Sequence, residues 1–367
     1  MSARFIPSDL SALPGPVLCV VIDTEEEFDW NAPFARDNTS VAALDWLGEG
    51  HRVFRRFGLQ PAYLMDYPVA TAPQARDVFG PWLAAGECLA GTQLHPWVNP
   101  PFEEVVCPFH SFPCNLPAEL ERRKLATLTE AVAETLGVRP VIYKAGRYGL
   151  DIGREAMLAD LGYLIDTSVV PNRSFAGSGG GPDFFGYPEQ PFWTGVEHRL
   201  LYLPVSQSLV GPLRSLAAGR RGRVVFGPAL SALHLPGILA RTHLLERIML
   251  TPEGSSVSEM CRLADAQLRA GAKVFTLSLH SPSFMPGGTP YAANRAEVAA
   301  LLGRIEGFLE HFFGRMGGAP ISPLELRRRI IGQRGGPPAG AARKPPPHDR
   351  AEVPRSPESL GRMRCRT

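Results

Sequence analysis

The sequence lacks both long apolar segments and a dense set of cysteines. No stretch approaches the ~20 consecutive apolar residues that a membrane-spanning helix needs. Residues 1–16 contain no apolar segment of the secretory type, so we expect a cytoplasmic protein. Six cysteines among 367 residues are too few for a disulfide-stabilised scaffold. These absences favour a globular chain held together by a hydrophobic core, to which the 44% of hydrophobic residues can contribute.

An excess of charge of one sign is also absent, except at the carboxyl-terminal end. The net charge is +2, from 38 basic and 36 acidic residues. Residues 332–367 hold eight basic and three acidic residues, a net charge of +5, so residues 1–331 carry −3. Because the main part of the chain is mildly acidic, no nucleic-acid partner is expected.

Short apolar segments of strand length alternate with segments of helical periodicity. Residues 17–23, "VLCVVID", are nearly all apolar, as expected for a strand covered on both faces. Strands separated by helices predict an α/β fold with a parallel sheet. The predicted strands are 17–23, 61–66, 88–95, 141–146, 163–168, 200–206 and 273–280. The predicted helices cover roughly 41–57, 117–137, 152–162, 258–271 and 293–313.

Two regions interrupt this alternation. Residues 174–193 are rich in Gly, Pro and aromatic residues, and residues 208–237 form a further insertion. The predicted organisation is an amino-terminal extension (1–16), one domain (17–331) with an insertion at about 174–237, and a basic, Pro/Gly/Arg-rich tail (332–367). Its composition predicts that the tail is disordered.

Polar side chains stand at the carboxyl end of most predicted strands. Carboxyl ends of parallel strands meet on one face of a barrel, where catalytic residues lie. We therefore expect these side chains to converge on one site, although each alone has a simpler explanation. Asp23 could cap a helix, and His95 could be a hydrogen-bonded strand terminator. The residues are Asp23, Asp66, His95, Lys144, Arg147, Asp166 and His280.

As a set, acids and histidines that face one pocket suit hydrolysis. A carboxylate such as Asp23 can take a proton from water, and a histidine on the opposite wall can protonate the leaving group. A metal or a cation would polarise the carbonyl. Lys144 or Arg147 could hold the base ionised by charge pairing.

These motifs, in this order, resemble those of the polysaccharide deacetylases of carbohydrate esterase family 4, and more closely those of the divergent WalW-type subgroup. The resemblance covers about residues 17–313 and implies a distorted (β/α)7 barrel. "VIDTEEEFDW" is similar to the first motif, so Asp23 would be the catalytic base. "YKAGRYG" is similar to the third motif, whose arginine orients the base. Arg147 or Lys144 could take that role, while His280 in "LSLHSPSF" would be the general acid.

The departures from the family concern its metal site. Thr24 stands where the family has a metal-binding aspartate, and Glu25 is the nearest replacement. "GTQLHPW" is similar to the second motif, in which His95 matches one histidine and Gln93 stands where the other would be. Glu25 and His95 are thus the candidate ligands of a divalent metal such as Zn²⁺, and metal dependence is left open.

The resemblance implies a hydrolase that removes an N-acyl group from an amino sugar or glycan intermediate. Gln93, Trp97, Asp166 and Lys144 are its predicted substrate-binding residues. Aromatic residues of the 174–193 segment are expected either to stack on the sugar or only to cover the barrel mouth. Two alternatives stay open, namely a metal-free hydrolase of a cyclic amide and a non-catalytic carbohydrate-binding relative. No membrane span is expected, and the oligomeric state is not predicted.

Overall fold

The strands of the computed structural model, which describes residues 5–195 and 197–332, form one mainly parallel sheet and a small ladder. The strands are β1 (Ile6–Pro7), β2 (Val17–Thr24), β3 (Ala62–Met65), β4 (Leu89–Leu94), β5 (Ile142–Ala145), β6 (Ile165–Asp166), β7 (Phe192–Trp193), β8 (Leu201–Tyr202), β9 (Gln207–Val210), β10 (Glu246–Met249), β11 (Val274–His280) and β12 (Ala319–Pro320).

Helices follow most of these strands. They are α1 (Leu47–Arg56), α2 (Tyr67–Thr71), α3 (Pro73–Ala84), α4 (Ala118–Leu136), α5 (Glu155–Asp160), α6 (Gly222–Val225), α7 (Pro228–Ala232), α8 (Leu235–Arg241), α9 (Val257–Arg269), α10 (Arg295–Glu310) and α11 (Pro323–Gly332). In the described part of the chain, no helix combines the length and the apolar character needed to cross a membrane.

The seven strands predicted from the sequence are present and pair in parallel, in the order β8-β6-β5-β4-β3-β2-β11. The α/β fold with a parallel sheet is therefore confirmed. The registers of two strand pairs determine which side chains of the candidate site lie next to each other. His280 lies opposite Asp23 across the β11–β2 pair, and Gln93 lies opposite Lys144 across the β4–β5 pair. Residues paired in this way project to the same side of a sheet.

Within the described residues, no regular ladder joins β8 and β11, the outermost of these seven parallel strands. Individual hydrogen bonds bridge them instead. The backbone N–H of Ser206, four residues after β8, donates to the carbonyl of Thr276 in β11 (3.2 Å). The N–H of Thr276 donates to Oγ of Ser206 (2.9 Å). The parallel strands curl until the chain after β8 reaches β11 through these contacts, as expected of a distorted barrel.

Alternate residues of β2 supply two separate cores. Leu18, Val20 and Ile22 pack under the surrounding helices. Val17, Cys19 and Val21 belong to the second core, with inward residues of the neighbouring strands. Because side chains alternate along a strand, the next inward residue after Val21 is Asp23. Apolar inward side chains fill the lower part of the barrel, and polar ones end the strands above them.

The amino-terminal residues predicted as a separate extension add to the sheet, because β1 pairs antiparallel with β7. Strand β7 itself lies at the end of the Gly/Pro/aromatic-rich segment 174–193. Residues 211–245 fold into short helices and are enclosed by the antiparallel β9–β10 ladder. Of the tail predicted to be disordered (332–367), Gly332 is instead the last residue of α11, and residues 333–367 lie outside the described residues.

Candidate functional site

A pocket of about 250 Å³ opens at the carboxyl ends of the strands, where it contains eight of the nine predicted site residues. These eight are Asp23, Glu25, Gln93, His95, Trp97, Lys144, Arg147 and His280. The ninth, Asp166, does not line it. Four further residues do, and all are aromatic: Phe28, Trp30, Phe34 and Tyr148.

Asp23 and Lys144 form a buried ion pair in the centre of the pocket. Nζ of Lys144 lies 2.6 Å from both carboxylate oxygens of Asp23, and the two side chains are 1% and 2% exposed. Burial is the largest single influence and would lower the pKa of Lys144, but the charge and hydrogen bond of Asp23, together with Tyr148 and Glu25, outweigh it, and the pKa lies above its ordinary value. Lys144 is thus a charged ammonium group next to the proposed base.

Arg147, predicted to orient the base, makes none of these contacts with Asp23. Its guanidinium donates to Oγ of Ser111 and lies 4.2 Å from the ring centre of Phe112 and 4.9 Å from that of Phe34. The physical reason is position in the strand. Lys144 lies within β5 and points inward, whereas Arg147 lies beyond the end of β5. Of the two candidate cations, Lys144 contacts the base and Arg147 forms part of the pocket wall.

His280 lies beside Asp23, with its Nε2 atom 3.6 Å from Oδ2 of Asp23. Its other ring nitrogen, Nδ1, lies 2.8 Å from Oε2 of Glu253, and the His280 backbone N–H donates to Oε1 of Glu253 (3.0 Å). Burial disfavours the imidazolium, but the carboxylates of Glu253 and Glu25 outweigh it, so the pKa of His280 lies well above its ordinary value. Nε2 of His280 can therefore carry a proton into the pocket.

The side-chain amide of Gln93 lies between the two candidate metal ligands. Its Nε2 atom is 3.2 Å from Oε2 of Glu25 and 3.1 Å from Nε2 of His95. In the assigned hydrogen-bond network, His95 accepts from Gln93 at Nε2 and donates from Nδ1 to Oε2 of Glu26 (2.8 Å). Burial raises the pKa of Glu25 to about 7 and lowers the pKa of His95.

Glu25, His95 and Gln93 together do not fit a metal ion. The described residues do include two other groups that could hold one, Asp23–Glu25–His280 and Glu26–Asp66–His95. Oε2 of Glu25 and Nε2 of His95 are 3.5 Å apart, a spacing that two ligands of one ion could adopt. However, a catalytic zinc site uses three protein ligands, and the third place belongs to Gln93. Its N–H groups face both candidate ligand atoms, so a cation there would meet hydrogen-bond donors.

A second acidic group lies behind His95, and of its two residues the sequence indicated Asp66 but not Glu26. Glu26 and Asp66 are both fully buried, and burial raises the pKa of Glu26 to about 8 and that of Asp66 well above its ordinary range. Nε1 of Trp97 donates to Oε1 of Glu26 (2.8 Å). Asp66 also caps α2 by accepting from the Val69 N–H (2.9 Å). Because these oxygens have partners within the protein, the group orients His95 and Trp97.

Asp166 was predicted to bind substrate, but its side chain is turned to the protein interior. It is fully buried, and its carboxylate accepts from the N–H and Oγ of Ser168 (2.8 and 3.0 Å). Oγ of Ser168 in turn accepts from the N–H of Ala145, the residue after Lys144 (2.7 Å). Asp166 thus fixes the end of β5, and through it the position of Lys144.

The aromatic walls of the pocket do not come from residues 174–193, whose aromatic side chains were expected to stack on the sugar or to cover the barrel mouth. Phe184, Phe185, Phe192 and Trp193 are buried in the fold and are not among the lining residues. The walls come chiefly from the loop after β2. Trp30 lies edge-on to His280 with ring centres 5.1 Å apart, and Phe34 lies 4.5 Å from the ring of Trp97. The motif "EEEFDW" (residues 25–30) contains two of the lining aromatic residues, Phe28 and Trp30.

Comparisons with known proteins give similarity in fold only. No protein-family model and no curated protein matches the chain. Among solved structures, it is similar to a "putative polysaccharide deacetylase" from Mycobacterium smegmatis, with 17% identity, 92% and 98% of the two chains covered and a TM-score of 0.48.

It is also similar to an allantoinase (13% identity, 88% and 92% covered, TM-score 0.47) and to a family 4 carbohydrate esterase from Streptomyces lividans (8% identity, 84% and 92% covered, TM-score 0.38). At these identities and TM-scores, no reaction or ligand is carried over to this chain.

Proposed function

We propose that this protein is a deacetylase-like amide hydrolase that removes an N-acyl group from an amino sugar or glycan intermediate. One observation carries the proposal. A carboxylate and an imidazole, Asp23 and His280, lie 3.6 Å apart in one pocket, and each is held by its own oppositely charged partner. Lys144 holds Asp23, and Glu253 holds His280. A base and an acid fixed side by side suit hydrolysis better than simple binding.

In the proposed reaction, Asp23 takes a proton from a water molecule as its oxygen attacks the amide carbonyl carbon. The negative charge that develops on the carbonyl oxygen is stabilised by nearby cations, of which Lys144 is one. His280 then gives the proton on Nε2 to the amide nitrogen, the C–N bond breaks, and a carboxylic acid and an amine are released. No step passes through a metal ion.

The size and lining of the pocket favour a small substrate group. Its volume of about 250 Å³ and its aromatic walls suit a single acylated sugar residue, because aromatic rings pack well against the apolar face of a sugar. Trp97, held by Glu26, would be one such wall. The finer assignment to the WalW-type subgroup, the identity of the sugar and the cytoplasmic location stay predictions.

The test is the release of acyl groups from a panel of N-acylated amino sugars and short glycans by the purified protein. Asp23→Asn and His280→Ala should each lower kcat by at least about 100-fold, the usual scale of acid–base catalysis. The matched control is the carboxylate–imidazole pair Asp265–His311, with 2.9 Å between Oδ1 and Nε2, which is not part of the pocket. Asp265→Asn and His311→Ala should leave the rate unchanged. Full activity in Asp23→Asn would refute the proposal.

A second candidate function, the metal-free hydrolysis of a cyclic amide, is favoured by the amide of Gln93 between Glu25 and His95. The same base and acid would open a ring instead of releasing an acyl group. Cyclic amides such as hydantoins, included in the substrate panel, distinguish the two. Binding of glycans without any turnover, unchanged by Asp23→Asn, would instead support the non-catalytic alternative.

A further inference from the structure

Residues 211–245, which we call the insertion, differ in charge from the rest of the protein. The sequence contains no Asp or Glu from residue 198 to residue 245, although arginines recur there. Elsewhere, acidic residues are interspersed with the arginines, and several exposed arginines have close acidic partners. Arg123 contacts Glu103 at 2.6 Å, and Arg139 contacts Glu130 at 2.8 Å.

Three arginines of the insertion have no such partner. Arg214, Arg221 and Arg241 are exposed, and no ion pair between described residues includes them. Arg223 is the exception, since it pairs with Asp183 at 2.6 Å. The insertion therefore presents positive charge that the described part of the protein does not neutralise.

The insertion also has an inner and an outer apolar side. Its inner side forms a small core of its own, from Leu209, Ala217 and Leu245 with Leu213, Val225, Phe226 and Leu239 packed against it. Three neighbours of these core residues point to solvent instead. Val224 is 69% exposed, Ile238 52% and Leu244 41%.

Leu216 and Leu233 add two more exposed side chains, at 64% and 70%. Thus the insertion supplies five of the ten large hydrophobic residues that are exposed in the described part of the chain. We name these five residues, together with Arg214, Arg221 and Arg241, the insertion surface.

We propose that the insertion surface docks on an anionic lipid membrane. Aliphatic side chains beside unneutralised arginines are typical of elements that lie in a membrane interface, with apolar groups among the acyl chains and cations at the headgroups. A protein partner fits less well, because the apolar anchors of protein interfaces are mostly Trp and Tyr, while Leu and Val are under-represented. The basic tail (332–367) is excluded as the occupant by its charge, which has the same sign.

The proposal is independent of the reaction in the pocket. It is tested by co-sedimentation of the full-length protein with vesicles of phosphatidylcholine alone, or of equal parts of phosphatidylcholine and phosphatidylglycerol. We expect binding to the anionic vesicles only, and weaker binding as salt is added. Replacing Arg214, Arg221 and Arg241 together by Gln should weaken it about 100-fold, from about fivefold for each arginine near an anionic surface. Val224→Ser with Leu233→Ser and Ile238→Ser should weaken it at least about tenfold.

Matched controls lie outside the insertion. Arg122→Gln with Arg269→Gln, and Val105→Ser with Val138→Ser, replace exposed residues of the same types and should bind like wild type. Circular dichroism and thermal unfolding check that every variant is folded.

Three results would overturn the proposal. The first is no binding by wild type, and the second is unchanged binding by both insertion variants, which would assign binding to the tail. The third is a dimer in solution that the Leu233→Ser variant dissociates, which would make this surface a contact between two copies.

Discussion

The side-chain amide nitrogen of Gln93 lies 3.1 Å from Nε2 of His95, the ring nitrogen that would otherwise face a metal. The same amide also donates to Glu25, so one side chain of the protein supplies hydrogen bonds to both candidate metal ligands. The pocket is therefore organised by hydrogen bonds and ion pairs, and its charges come from Lys144 and His280. That view leads to predictions on metal affinity, stability and pH dependence.

Gln93→His should create a zinc site. The new imidazole would join His95 and Glu25 and supply the third ligand that zinc requires. We expect zinc affinity to rise at least about tenfold, because even indirect partners of a metal site change affinity by ~10–100-fold. Metal content after gel filtration, measured by elemental analysis, checks this. Gln93→His combined with His95→Ala should bind no better than wild type. Stoichiometric zinc in purified wild type would contradict the hydrogen-bonded arrangement.

Lys144→Met should strongly destabilise the protein as well as inactivate it. It removes the ammonium group that contacts both oxygens of the buried Asp23 carboxylate and leaves His280, 3.6 Å away, as its charged neighbour. Breaking such a buried pair costs about 3–5 kcal/mol in the free energy of unfolding. Chemical denaturation measures the change. The double variant Lys144→Met, Asp23→Asn removes both charges and should regain most of the stability while staying inactive. If Lys144→Met alone is as stable as wild type, the ion pair does not hold the centre of the pocket.

Much of the site was predictable because strand periodicity and strand ends carry information in the sequence. Asp23 and His280 follow continuous apolar strands, and such ends converge in a parallel fold. The same periodicity also separates Lys144 from Arg147, since Lys144 is two residues after the inward Ile142. Applied to that strand, it would have favoured Lys144 as the partner of Asp23.

Other parts of the site leave no local signal. Glu253 belongs to the turn between β10 and α9, far from any strand end that the motifs mark. Its contact with His280 depends on how the chain returns to the sheet after the insertion. The burial of Glu26 next to Asp66 likewise depends on tertiary packing, since a row of three glutamates normally indicates a solvated surface.

Glu25→Gln should change how stability depends on pH. Burial raises the pKa of Glu25 from 4.5 to about 7, so the folded protein binds this proton more tightly than the unfolded chain does. The contribution of this bound proton to the free energy of unfolding is fully present below pH 4.5 and is lost as the pH rises through about 7. Glu25→Gln should thus match wild type in acid and gain relative stability as pH rises, by at most about 1.4 kcal/mol per pH unit. Urea denaturation at several pH values measures this. The exposed Glu134→Gln is the control, and a difference that does not vary with pH would refute the assignment.

Glu253→Gln should move the high-pH limit of activity to lower pH. The carboxylate of Glu253 is the largest of the influences that raise the pKa of His280, against the opposite effect of burial. Without that charge, His280 loses its proton at lower pH, and the enzyme loses its acid. The pH profile of kcat/KM should therefore fall earlier on its alkaline side, by about one pH unit or more. Glu253→Asp keeps the charge and should restore part of the shift. A lower rate with an unchanged profile would mean that Glu253 only supports the loop, and that another group donates the proton.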